Sequence, residues 1–160
     1  MDLEPVPAVA NSADSTAAAK PVRAVVTMRL LAPDATGIPV RCVVRYEPAD
    51  PYAVHLVFHT DALDGEPVHW SFARDLLAAG LAAPTGVGDV RIWPWTTLAG
   101  DSVALALSSP DGQAVLEAPR EPLARFLDAA YAAVPTGTES KHLGDLDRWF
   151  GGGQDAASGR

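Results

Sequence analysis

Cysteine, lysine and long apolar runs are all scarce in this chain, and each scarcity excludes something. Cys42 is the sole cysteine, so neither an internal disulfide nor a cysteine-built zinc cage can form, which favours a reducing, cytoplasmic setting. No apolar run reaches the roughly 20 residues of a membrane helix, so no membrane insertion is expected. The start is acidic (Asp2, Glu4) and no apolar segment follows, so it does not read as a secretory signal. Only two lysines, Lys20 and Lys141, occur in a chain of net charge -8 and pI near 4.8. A nucleic-acid binder usually presents a basic surface that displaces phosphate counterions, and this composition opposes one.

Apolar residues make up 48% of the 160, enough for one domain with a real core. Residues 1–20 are rich in Ala, Pro, Ser and Asp without apolar period, and residues 151–160 (GGGQDAASGR) are similar. The expected organisation is a flexible leader over 1–20, a domain over 21–150 and a flexible tail over 151–160.

The domain reads as strands joined by hairpins. Val22 to Leu31 and Ile38 to Glu47 both place apolar residues at even positions, the period of a half-buried strand, around a turn-forming APDATG. Ala53 to Thr60 and Glu66 to Phe72 form a second hairpin, in which Phe58 opposite Val68 and Leu56 opposite Trp70 keeps even positions facing even ones. Ala73 to Leu81 reads as a helix stacking Phe72 on Leu76, capped by Ser71 and ended near Gly80. Strands follow at Val87 to Trp93, Ser102 to Ser109 and Gly112 to Glu117. Pro119 opens a helix that buries Leu123, Phe126, Leu127, Ala130 and Val134. A last helix, capped by Thr138, buries Leu143, Leu146, Trp149 and Phe150. Seven strands and three helices without regular βα crossovers predict an α+β domain built on twisted antiparallel sheet.

Chemistry finds little purchase. Ser71, Ser108 and Ser109 sit in no GxSxG elbow, Cys42 is predicted to face the core, and Asp145 and Asp147 read as a solvated helix face. Gly86 and Gly88 enter a strand and open no helix, so they cannot cradle a pyrophosphate. His55, His59 and His69 share one strand face at diagonal spacing, which makes a zinc site conceivable. A solvated face needs no metal, no HExxH motif or carboxylate cluster accompanies them, and no catalytic, metal or cofactor residues are assigned.

Binding is the better prospect. Between Lys20 and Pro48 five basic residues face two acids, and Arg23, Arg29, Arg41 and Arg45 all project from the side opposite the core. If Leu30 pairs with Val40, Arg29 lies nearly opposite Arg41, and like charges so placed cost stability unless an anion compensates. The alternative is a solvated face bridged by Glu47. Trp93 and Trp95 flank Pro94, which argues for a strand edge or end, where indoles either anchor a partner or pack under a helix.

Five collinear segments, DPYAVHLVFHT (50–60), WSFARDLLAAGL (70–81), PTGVGDVRIWP (84–94), LSSPDGQAVLEAP (107–119) and AVPTGTE (133–139), resemble the SsgA-like proteins, regulators of sporulation and cell division in actinomycetes. The resemblance spans roughly Val22 to Phe150; the leader and tail fall outside it. It implies a fold similar to the Whirly-type and mitochondrial guide-RNA-binding proteins, a homotrimer, and a non-enzymatic role at the division septum. The implied partners are the tubulin-like FtsZ, another SsgA-like protein or a further divisome component. The competing reading, from the Whirly-like fold and the arginine face, is a single-stranded nucleic-acid binder, and the chain's acidity counts against it.

Overall fold

The computed structural model describes residues 19–34, 36–59, 65–98 and 100–143. The expected leader and tail fall outside these, apart from Ala19 and Lys20, as does the last helix beyond Leu143. Seven strands are described: β1 (Val22–Leu31), β2 (Gly37–Tyr46), β3 (Ala53–His59), β4 (Val68–Ala73), β5 (Val90–Thr97), β6 (Gly100–Ser109) and β7 (Gly112–Pro119). They form one curled antiparallel sheet in the order β4-β3-β2-β1-β7-β6-β5. Helix α1 (Arg74–Gly80) links β4 to β5, and α2 (Arg120–Ala133) follows β7. The expected class is therefore met by two α-helices among the described residues. Thr138 precedes a single 3-10 turn, Glu139–His142, without a side-chain capping bond.

The sheet is two meanders, β1–β4 and β5–β7, joined where β1 meets β7 by only two residue pairs, Arg29 with Glu117 and Leu30 with Leu116. Even positions build the core: Val26, Met28, Val40, Cys42, Val44, Tyr46, Val54, Leu56 and Phe58 are all buried, with Leu123, Phe126, Leu127 and Ala130 of α2 packed in the same cluster. Burying a side chain of this size is worth about 1.5–3 kcal/mol each, which makes the alternation the main determinant of the fold. Pairing of β3 with β4 follows the predicted register, Leu56 opposite Trp70 and Phe58 opposite Val68.

The first hairpin differs by two residues. Leu30 pairs with Ile38, so Arg29 faces Pro39 and Arg41 faces Thr27; the opposed arginines are Arg23 and Arg45. A two-residue slip leaves every side chain on its own face, so the hydrophobic pattern cannot distinguish the two registers. The turn decides, closing with the Ala32 N–H donating to Thr36 O at 2.8 Å while Asp34 accepts from Thr36.

Two local expectations are corrected. Ala73 belongs to β4 and not to the helix, so the cap position of α1 falls on Ala73, which makes no side-chain bond, while Ser71 stays in the strand with its hydroxyl engaged with His55. Strand β5 starts at Val90 and runs through Trp93-Pro94-Trp95 to Thr97. Gly86 and Gly88 take positive φ ahead of it, and β5 lies at the sheet edge, where proline's missing donor costs no ladder bond.

Candidate interaction face and buried arginine cluster

Cross-strand register arranges the outer face of β1–β4 into rows. Arg23, Arg45, His55 and Ser71 form one; Val25, Val43, Val57 and His69 the next; Thr27, Arg41 and His59 the third. Neighbours within a row are about 4.8 Å apart and successive same-face rows about 6.7 Å. The result is an apolar row between two basic ones. Val43 (5% exposed) and Val57 (8%) are flanked along their strands by arginines and histidines whose stems can cover them, whereas Val25 is 48% exposed.

Neutralisation of this face is partial. Arg45 donates to Glu47 at 3.1 Å. His55 bonds Ser71 Oγ through Nδ1 at 2.7 Å and Asp50 Oδ2 through Nε2 at 3.1 Å. Among the described residues, Arg23 and Arg41 have no ion pair. The predicted arginine quartet is thus split: Arg23, Arg41 and Arg45 share the ladder, while the Arg29 guanidinium lies over Gly37, where an added Cβ would fall 2.5 Å from Nε.

Trp93 and Trp95 are half-buried on the far edge strand, away from the ladder. Register still carries Trp93 onto the same side of the sheet, through Ala104 and Glu117 to Arg29. Where β7 leaves β1, a cleft of about 620 Å³ opens between Arg29, Arg120, Asp101, Glu117 and Glu121. Its charges are of both signs.

The histidines occupy the predicted diagonal positions, but the His55 ring is committed to Asp50 and Ser71. No group of three potential metal ligands occurs among the described residues. The order Asp50, His55, Ser71 is that of a proton relay on an open strand face; acyl transfer also needs donors aimed at a developing oxyanion, and the described cleft lies elsewhere. Cys42 is buried, and burial pushes its thiol up to about 12.

A second constellation was not anticipated from the sequence. Arg74, the first residue of α1, is 1% exposed. Its Nη1 donates to Tyr46 Oη at 3.0 Å, Ala130 O at 3.1 Å and Val134 O at 2.8 Å, and Nη2 to Glu139 Oε2 at 3.0 Å. The guanidinium sits over the rings of Tyr131 (4.0 Å) and Tyr46 (5.0 Å), an arrangement favourable to a cation. Among the described residues its Nε has no hydrogen-bond partner. Tyr46 donates in turn to Pro51 O at 2.9 Å, Tyr131 to Asp75 Oδ1 at 2.6 Å, and the Gly137 N–H to Glu139 Oε1 at 2.8 Å. Burial pushes both phenols up to about 12, and for Tyr131 the bond to Asp75 adds to it. The cluster therefore ties together the segments 50–60, 70–81 and 133–139. The available signal was Arg74 at helical spacing from Leu77 and Leu81, on the face that enters the core.

The family model described as Streptomyces sporulation and cell division protein, SsgA, matches residues 40–139. The chain belongs to the SsgA family. It is 60% identical to the sporulation-specific cell division protein SsgB of Salinispora tropica over 76% of this chain and 84% of that one. With SsgB of Streptomyces coelicolor it shares 53% identity over 76% and 86%. A solved structure from work on SsgB mutations that correlate with longitudinal cell division during sporulation of S. coelicolor superposes with TM-score 0.73 at 50% identity, covering 77% of this chain and 95% of that one. The crystal structure of an SsgA-like sporulation-specific cell division protein from Thermobifida fusca gives TM-score 0.74 at 40% identity, covering 84% and 96%.

Proposed function

We propose that this chain is a non-enzymatic regulator of sporulation-linked cell division, acting in the cytoplasm at septa by binding the divisome and helping to position or assemble FtsZ. Family membership carries the role in sporulation and division; among the described residues no helix is long and apolar enough to cross a membrane. The observation that carries the binding mode is the outer face of β1–β3, where among the described residues Arg23 and Arg41 have no ion pair, in a chain of net charge -8. Arg45 shares that ladder, and Arg29, Trp93 and Trp95 extend the contact along the same side of the sheet. The working form is a Whirly-like homotrimer.

Co-sedimentation with FtsZ filaments tests this reading. The intact chain should pellet with them, and R23E/R41E should lose most of that association while keeping its sedimentation coefficient. Equal pelleting of both proteins would place the contact elsewhere. A salt-sensitive gel shift with single-stranded DNA and no FtsZ association would support the nucleic-acid reading instead.

A further inference from the structure

We infer that the outer face of β1–β3 is a docking site for an extended acidic polypeptide segment whose alternate residues run acid, apolar, acid. This deepens the adaptor reading by naming the chemistry of the partner, and rests on it only for biological context.

Arg41 and Arg45 lie four residues apart on one strand, about 13 Å, with Val43 midway. An extended chain laid along β2 repeats with the same period, so its residues i, i+2 and i+4 meet the Arg41, Val43 and Arg45 rows in phase. The intervening residues point away and are unconstrained. Charge complementarity selects the outer two. Arg23 directly opposes Arg45, which costs stability, and Glu47 pairs with Arg45 alone, so among the described residues Arg23 has no counter-ion. A carboxylate between the two offsets that repulsion, and the planar guanidinium fork suits it. At the other end Arg41, without an ion pair among the described residues, sits beside His59.

The middle position is selected by the valines. Val43 and Val57 are already buried while Val25, beside them, is half exposed, so an apolar ligand side chain gains by completing the row. The same row disfavours nucleic acid, which would meet phosphate-binding arginines but find valines where bases need aromatic rings to stack.

The test uses the full chain and two fluorescein-labelled peptides of one composition, SGETVTEGS and SGEEVTTGS, the second with one of its two acids moved out of phase. Anisotropy titrations at low and physiological ionic strength should show the in-phase peptide binding about tenfold more tightly or better. That binding should fall by about tenfold or more in R23E/R41E, and also in V25D, which alters the apolar row alone. Circular dichroism verifies that each variant is folded; should the double variant not fold, V25D and the out-of-phase peptide still decide. Equal binding of the two peptides, or no binding of either, would overturn the inference. So would an oligonucleotide that binds this face in preference, or a changed oligomeric state in R23E/R41E. No division protein enters the experiment, so failure here is separable from failure of the FtsZ reading.

Discussion

Replacing Arg74 with methionine keeps most of the side chain's length and apolar stem while deleting its charge and donors. The structure assigns the cost. Glu139 is 7% exposed and would keep the Gly137 N–H while losing its countercharge, Val134 O would lose a 2.8 Å bond, and two tyrosine rings would lose the cation between them. Breaking one partner out of a buried pair costs about 3–5 kcal/mol. For a domain of this size that is a fall in Tm of roughly 10–20 °C. Thermal and urea unfolding of R74M against wild type measure it. The companion R74M/E139L should recover about 2 kcal/mol or more, since it removes the stranded carboxylate along with the cation. An R74M protein within about 1 kcal/mol of wild type, or a double variant no better than the single, would refute the claim that this cluster pins the three segments together.

Tyr46 and Tyr131 have folded-state values raised to about 12, above the roughly 10 of an unfolded tyrosine. The stability this represents is present in full below about pH 10 and lost as pH rises toward 12, so urea midpoints should fall across that window and fall less in Y46F. Gly80 faces Ile92, and an added Cβ would collide with Ile92 Cγ2; G80A should cost about 1–3 kcal/mol by overpacking, seen as a lower urea midpoint at unchanged slope. Cys42, buried and with its thiol raised to about 12, should resist thiol-reactive dye in the native protein and react at once in denaturant.

What the sequence made legible follows from which forces act locally. Period-two alternation told the core face of β1 to β4 from the outer face, because one side of each strand is buried and the period is short. It placed Arg23, Arg41 and Arg45 together on the outer side, yet gave them the wrong neighbours, since a two-residue slip leaves the alternation unchanged and only the turn at Ala32 to Thr36 sets the register. Pro94 signals a strand edge; read as a strand end, it stops the strand at Trp93, four residues short of Thr97. Arg74 stayed hidden for another reason. A charged residue at the start of a helix ordinarily faces water, and its partners Tyr46, Val134 and Glu139 lie 28, 60 and 65 positions away. No local pattern records such distances.

The central claim is that β1–β3 present a face built to hold a partner protein. A photo-crosslinking amino acid at position 25, on the exposed end of the valine row, tests it in sporulating cells of the native host, with position 87, a 93% exposed loop site, as control. Adducts containing FtsZ or another division protein from position 25, and few from position 87, are the predicted result. Equal labelling from both positions, or adducts at position 25 made only with nucleic acid, would contradict the account.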